Sequence, residues 1–451
     1  MTESNSNLFQ RTLKLASDIK AHEIRTTLSS FLLVFILMAA YYILRPVRDA
    51  MASDWSDAEV SWLWTFTFFF SVIAVSLYGS LISHIRFKRL VPSVYGFFAV
   101  SFVLFYVATQ YTVIQTASSS NFVDKAFYVW VSVFSLFHIS VFWSLMSDIF
   151  SRPQATRLFG FIGAGASVGA IIGPSIPALL ASNIGTNNLL LIASLLLVLT
   201  IPLSSYLQTL KQLDLKPDLE NDSLVSNQEL GQKHDQTHAI RDSDFIGGNP
   251  FSGFSEFLKS PYLLAIGLFI LFYTSISSFV YFELKNLLVD YDRETRSQIW
   301  ASMDLVVNTL SVLLAAFATG RIAKRFGLSF TLALVPVMIA AGMIFLTFIP
   351  VVGVVVAVQI IRRAGNYAIT RPSREMLFTV VGREIRFKVK PVIDIVIYRG
   401  GDMLNAWAFT ALTQGLGLSL AAVAGIGALI ASIWAATGIY LGNRFKEFPR
   451  N

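Results

Sequence analysis

Apolar residues in this chain come in long blocks of roughly 18 to 25, the length that crosses a bilayer core as a helix, and short polar turns separate them. Lipid offers no hydrogen bonds to a backbone, so such blocks are either helices or strands of a closed barrel. Barrel strands alternate in polarity residue by residue, and these blocks do not. The pattern predicts an all-α membrane protein with twelve transmembrane helices near 29–45, 60–83, 90–111, 126–149, 157–182, 188–207, 261–284, 299–319, 328–349, 351–371, 391–415 and 418–442.

One long polar stretch breaks the series. Residues 208–260 are rich in Asp, Asn, Gln, Ser and Lys and have little to bury, which reads as a linker without a packed core. The chain therefore divides into a segment 1–28, a six-helix half 29–207, the linker 208–260, a second six-helix half 261–442 and a tail 443–451. His234 and His238 stand at helical metal-ligand spacing, yet nothing else in the linker supports a site, and they read as solvated histidines. A faint repeat joins the halves: span two is followed by Arg86-Phe-Lys-Arg89 and span eight by Arg321-Ile-Ala-Lys-Arg-Phe-Gly327.

Composition supports the membrane reading. Of 451 residues 54% are hydrophobic and 14% charged, and the mean hydropathy is +0.61, outside the usual range for a soluble domain. No cysteine is present, which excludes disulfides and thiolate metal sites. A net charge of +7 would suggest nucleic acid in a soluble protein. Here the positive-inside rule accounts for it, because alternating the loops puts roughly 26 Lys and Arg on the side of both termini and about 6 on the other. Both termini and the linker are expected in the cytoplasm. The polar start, with Arg11, Lys14, Lys20 and Arg25, carries no cleavable signal, so the first block reads as a retained span.

Span five holds Gly165, Gly169 and Gly173 at every fourth position, then Pro174. Small residues at that spacing let helix backbones approach closely in lipid, and the proline frees a carbonyl and marks a kink point. Together they read as helix packing and gating. Gly163-Ala-Gly165 follows no strand and is not a dinucleotide loop.

Ionisable residues inside spans are costly and face a cavity or a partner. Span one ends Tyr41-Tyr42-Ile-Leu-Arg45-Pro46-Val-Arg48-Asp49, in which Arg45 and Asp49 have ion-pair spacing and Pro46 is expected to break the helix. Span ten carries Arg362, Arg363, Asn366, Tyr367, Arg371 and Arg374, of which Arg363, Asn366, Tyr367, Arg371 and Arg374 fall near one α-helical stripe. Span eleven has Asp394, Tyr398, Arg399-Gly-Gly-Asp402 and Asn405, where Arg399 and Asp402 either neutralise each other or serve function. His138 reads as a packing residue, and Asp148 as a partner for Arg152. Glu283 and Asp304, with Asp394, are the candidates for ion or proton coupling. Arg48, Arg363 and Arg399 come from both halves, and their guanidinium forks suit a carboxylate or phosphate. The expected cargo is an anion, held by Tyr42, Arg45, Arg48, Asp49, Arg363, Asn366, Tyr367, Arg399 and Asp402.

Six plus six spans with a long middle loop and the glycine–proline run resemble the major facilitator superfamily. Tyr42-Ile-Leu-Arg45-Pro-Val-Arg48-Asp49, Phe142-Trp143 through Ile149, Ala155, Arg157 and Gly163 are similar to segments of the ATP:ADP antiporter family of intracellular bacteria and plastids. The runs Asn366-Tyr-Ala-Ile-Thr-Arg371-Pro-Ser-Arg374-Glu375 and Tyr398-Arg-Gly-Gly-Asp402 resemble an outlying bacterial branch of those carriers. The likeness implies a substrate site near the midplane, rocking halves, and Arg48 where the family has a nucleotide-binding lysine. It also implies a bacterial inner membrane. The family's acidic residue within span four is missing here, since 126–147 contain none.

These readings predict a secondary active transporter of an organic anion, a nucleotide or another phosphorylated metabolite being the narrow form. The alternatives are a proton-coupled exporter of a siderophore-like or drug-like anion, and a receptor or scaffold signalling through the linker. No catalytic motif, metal constellation or cofactor site stands out, so an enzyme is not expected. The expected partners are the lipid bilayer and a small anionic substrate, without nucleic acid, and a monomer suffices.

Overall fold

The computed structural model describes residues 19–84, 87–115, 117–215, 252–317, 319–381, 385, 389 and 392–448. In parts of some helices, 75–84 and 87–90 among them, the backbone alone is described. The protein is all-α, with twelve successive helices matching the twelve expected spans. These are α1 (Ile24–Met51), α2 (Asp57–His84), α3 (Phe87–Gln115), α4 (Ala117–Ile149), α5 (Arg152–Ile184) and α6 (Thr186–Leu210). After a short amphipathic helix, Ser252–Lys259, come α7 (Pro261–Leu287), α8 (Arg293–Phe317) and α9 (Thr319–Phe348). α10 runs over Val352–Gly365, a π-helical turn Asn366–Thr370 and Arg371–Leu377, and α11 over Val392–Ile397, Tyr398–Thr410 and Ala411–Gly415, with π turns at both ends. The last helix, α12, is Leu420–Glu447. Among the described residues nine helical stretches are long and apolar enough to cross a membrane. The helices α2, α8 and α11 are not among the nine; of these α8 and α11 interrupt apolar sequence with Asp304 and Asn308 or Arg399 and Asp402.

Local chemistry sets several helix ends. Ser260 and Ser419 cap α7 and α12 by accepting from the backbone N–H of Leu263 and Ala422, and Pro261 takes the first helical position, where its missing N–H costs nothing. Gly327 has a φ of +78°. This glycine of the basic hairpin breaks α9 near its start, in a conformation open to a residue without Cβ. Pro46 behaves otherwise than expected: α1 continues through it to Met51. In lipid the remaining helical bonds have no substitute, so losing one donor does not end the helix.

The chain forms two compact units, Met1–Val47 with Ser71–Ile246 and Arg48–Phe70 with Gly247–Asn451. The segment Arg48–Phe70, from the first half by sequence, thus belongs to the second unit. Residues 216–251 of the linker, with His234 and His238, lie outside the described residues.

Within the first unit α3 packs on α6 and α4, around an aromatic core in which Phe98 and Phe134 stand 4.9 Å apart. Gly165, Gly169 and Gly173 lie against α1: a Cβ on Gly165 would stand 2.6 Å from the Phe31 carbonyl oxygen, and one on Gly173 2.7 Å from that of Ala39. Gly169 faces the Phe35 carbonyl in the same way. Pro174 sits one turn on, inside the continuing α5. His138 is buried, stacked on Tyr41 at 4.5 Å. Asp148 pairs with Lys211 at 3.0 Å, while the Arg152 side chain lies outside the described residues.

In the second unit α12 packs on α9 and α7, α7 on α11 and α10, and α8 on α10. Large apolar side chains such as Phe97, Leu104, Leu195, Phe345 and Leu429 are exposed on the helices, as a surface in contact with lipid requires.

Candidate functional site

The polar residues of the second unit gather in three places. The first lies where α7, α10 and α11 meet. Arg362 is 4% exposed; its Nε donates to Gln359 Oε1 at 2.8 Å and Nη1 to the Tyr273 hydroxyl at 3.2 Å. Its guanidinium lies over the Tyr273 ring, 5.6 Å from the centroid. Tyr273 in turn neighbours Tyr398, their ring centroids 6.0 Å apart. Asp402 stands within electrostatic range of both Arg399 and Arg362; Tyr367 stands within the same range of Tyr398. Neither arginine forms an ion pair with a carboxylate among the described residues. Two guanidinium groups, one carboxylate and three phenols therefore form a partly buried cluster of net positive charge.

The backbone around this pocket is built for close approach. A Cβ on Gly401 would lie 2.6 Å from Thr274 Oγ1, so α11 reaches α7 without an intervening side chain. Asn405 secures that contact by donating to Thr274 Oγ1 and accepting from Ser275. The π turn Asn366–Thr370 corrects the expected stripe on α10. Its i→i+5 bonding accommodates one extra residue, which brings Arg371 toward the line through Arg363 and turns Arg374 away from it. Asn366 is half-buried and Tyr367 39% exposed at this turn.

The second place pairs Arg363 with Asp304 of α8, Nη2 to Oδ1 at 2.5 Å, both nearly without exposure. The helix starts after Val351, which puts both arginines well within it.

The third place is the turn between α1 and α2. Arg48 binds the Asp49 carboxylate through Nε at 2.9 Å and Nη2 at 2.6 Å, and the Tyr281 hydroxyl reaches the same oxygen at 3.4 Å. Lys285, 1% exposed, donates to Asp57 Oδ1 at 2.8 Å and to the Trp55 carbonyl at 2.7 Å. Thr413 and Asn286 donate to the other Asp57 oxygen at 2.8 and 3.3 Å. Arg293 binds Asp54 at 2.7 Å, and Arg296 binds its other oxygen. Glu283, two residues before Lys285 on α7, is fully buried, and neither of its carboxyl oxygens has a hydrogen-bond partner among the described residues.

Of the arginines expected to face an anion, Arg48 and Arg363 hold carboxylates and Arg399 does not. All three lie in the second unit, where the sequence division assigned Arg48 to the first half. In the first unit Arg45 lies over the Tyr42 ring at 5.9 Å. The Asp394 side chain lies outside the described residues. Tyr273 and the Lys285–Asp57 pair were not singled out from sequence, and Arg362 was named in span ten but not among the substrate-binding residues. A lysine in the apolar run of span seven was the available signal, since such a charge calls for a carboxylate elsewhere.

Relatives and structures agree with this architecture. The chain is 23% identical to ADP,ATP carrier protein 1 of Chlamydia muridarum over 94% of its own length and 90% of the relative's. It is 22% identical to the protein of the same name from Chlamydia pneumoniae, over 99% and 96%. Among solved structures, a POT family transporter in complex with 5-aminolevulinic acid superposes with a TM-score of 0.60 at 11% identity, covering 94% of this chain and 97% of that one. The nucleoside transporter NupG gives 0.58 at 13%, covering 94% and 100%. The family model of the Major Facilitator Superfamily matches residues 30–381. With twelve helices and that match, the chain belongs to the Major Facilitator Superfamily, and it is a multi-pass membrane transporter rather than an enzyme.

Proposed function

We propose that this transporter carries an organic anion of the nucleotide class by alternating access, and that Arg362 and Arg399 meet its phosphates. The observation that carries the reading is Arg362: buried, oriented by Gln359 and Tyr273, and without a carboxylate in ion-pair range among the described residues. A buried guanidinium with no carboxylate in ion-pair contact among the described residues favours an anionic ligand. The phenol rings of Tyr273, Tyr398 and Tyr367 offer faces on which a planar base stacks, and the distant likeness to ADP,ATP carriers supports the same class. Arg363 acts as a positioning residue, its charge already matched by Asp304. Both termini on the cytoplasmic side of a bacterial inner membrane, with the 208–260 linker, complete the proposal.

Proteoliposomes loaded with ADP and given radiolabelled ATP test it. The parent protein accumulates label, and Arg362→Met lowers uptake at least about tenfold, the cost of one charge-assisted contact of 1.5–3 kcal/mol. If no nucleotide moves and none raises the unfolding temperature of the parent, the nucleotide reading is wrong. A second reading, proton-coupled export of another anion, draws on buried Glu283; it predicts transport that follows an imposed pH gradient without any counter-substrate.

A further inference from the structure

The helices α7 and α11 meet along a regular seam. Helical spacing puts Gly267, Leu271 and Thr274 on one face of α7, and Ile397, Gly401 and Asn405 on one face of α11. The two faces meet in order. A Cβ on Gly401 would stand 2.6 Å from Thr274 Oγ1 and 3.3 Å from Leu271 Cδ1. One turn on, Asn405 donates to Thr274 and accepts from Ser275. At this end α11 rests on α7 with no side chain of Gly401 between them, and hydrogen bonds fix the contact.

The other end of the seam is filled differently. A Cβ on Gly267 would stand 3.0 Å from Ile397 Cδ1, and only 2.6 and 2.9 Å from Cζ and Cε2 of Phe257. Phe257 belongs to neither helix. It is a buried residue of the short helix Ser252–Lys259, which leads through Ser260 into α7. The tip of its ring occupies the notch left where Gly267 has no side chain, beside Ile397. The same short helix contacts the π turn Val392–Ile397 of α11. Eight residues are too few to hold a helix by themselves in water, so contacts such as this one keep it in place.

We propose that Phe257 is a positioning residue of the Arg362–Arg399 cluster: its ring wedges α7 and α11 apart at one end of the seam, and Gly401 on Thr274 is the fulcrum. Tyr398 and Arg399 lie between wedge and fulcrum. Successive side chains on an α-helix stand about 100° apart, so the tilt and rotation that Ile397 takes against Phe257 are passed on to both. Without the ring, Gly267 and Ile397 border an empty volume that apolar packing closes, and α11 tilts about Gly401 toward α7. The 6.0 Å spacing of Tyr398 and Tyr273 then changes, and with it the place of Arg399. The effect on transport rests on the anion reading of this cluster, whereas the wedge itself does not.

Hydrogen–deuterium exchange in purified full-length protein, read peptide by peptide by mass spectrometry, tests the wedge without cargo. In Phe257→Ala the amides of 392–402 exchange about tenfold faster, equivalent to about 1.4 kcal/mol of easier local opening, while those of 423–441 in α12 keep the parent's rate. Phe257→Met, which keeps most of the bulk on a flexible stem, restores the parent pattern. Phe257→Tyr does not, because its hydroxyl extends from Cζ into Gly267. Gly267→Ala speeds exchange at 392–402 when introduced alone and slows it when added to Phe257→Ala, where the new methyl group refills part of the notch. Unchanged exchange at 392–402 in Phe257→Ala, or an equal rise across α12, overturns the proposal. Transport gives a second readout. For radiolabelled ATP entering ADP-loaded vesicles, Phe257→Ala raises KM about tenfold with the maximal rate nearly kept, and Phe257→Met keeps the parent's KM. ATP uptake whose KM ignores Phe257→Ala shows that the ring does not position the cluster. Failure of any nucleotide to move counts against the nucleotide reading alone, and the exchange pattern still decides the wedge.

Discussion

Removing the two partners of the Lys285–Asp57 pair one at a time should have unequal effects, because their surroundings are unequal. Asp57 begins α2, where the helix dipole favours a negative charge, and it keeps hydrogen bonds from Thr413 and Asn286 when Lys285 is lost. Lys285 retains the Trp55 carbonyl and the Phe282 ring face, with no carboxylate in hydrogen-bond contact, when Asp57 is lost. Asp57→Ala therefore strands a buried ammonium and should cost about 3–5 kcal/mol, the penalty for breaking a buried pair from one side. Lys285→Met keeps the apolar stem and leaves a carboxylate with two donors and a helix terminus, so its cost should be nearer about 1–3 kcal/mol. In the double variant no charge is left unpaired, and its loss should fall below that of Asp57→Ala alone. Thermal unfolding followed by tryptophan fluorescence reads these differences, with Asp57→Ala lower than the parent by about 3–5 °C for a chain of this length. High salt should change the ordering little, since buried pairs are poorly screened. Additive single losses, or Lys285→Met as damaging as Asp57→Ala, would show that the two charges are not coupled as described.

Two further substitutions test packing and capping. Gly169→Ala drives a Cβ onto the Phe35 carbonyl and should destabilise by about 1–3 kcal/mol, whereas Gly163→Ala, with nothing within 4 Å among the described residues, should be neutral or gain up to about 1 kcal/mol in unfolding measurements. Asp292, exposed between α7 and α8, is held below the ordinary carboxylate range by bonds from the Thr295 hydroxyl and then its backbone N–H. A lowered folded-state value means that its contribution is present above the usual Asp range and is lost as pH falls through the lowered value; Asp292→Asn should remove that component from the acid limb of a melting-temperature profile.

Much of this architecture was readable from the order of residues. Twelve apolar blocks became twelve helices because a backbone in lipid has no alternative to internal bonding. Gly165, Gly169 and Gly173 share one face by helical arithmetic alone, and the structure sets that face against the α1 carbonyls. Pro46 was misjudged on a rule from water, where a broken helix can be solvated. The Arg48–Phe70 segment falls in the first half by chain order, while its Asp54 and Asp57 meet cations more than two hundred positions away. Pairings over such separations leave no local trace in a single sequence.

Arg362 and Arg363 show the limit most clearly. Neighbours on an α-helix point about 100° apart, so one of two adjacent arginines can pair while the other faces a pocket. Which one does so depends on the rotation of α10 against α8, which carries Asp304. Charge counting finds both arginines, and the stripe argument preferred Arg363 because it continued through Asn366 and Tyr367. That stripe assumed unbroken α-helical spacing. In the structure Arg363 pairs with Asp304, while Arg362 sits over Tyr273 within electrostatic range of Asp402.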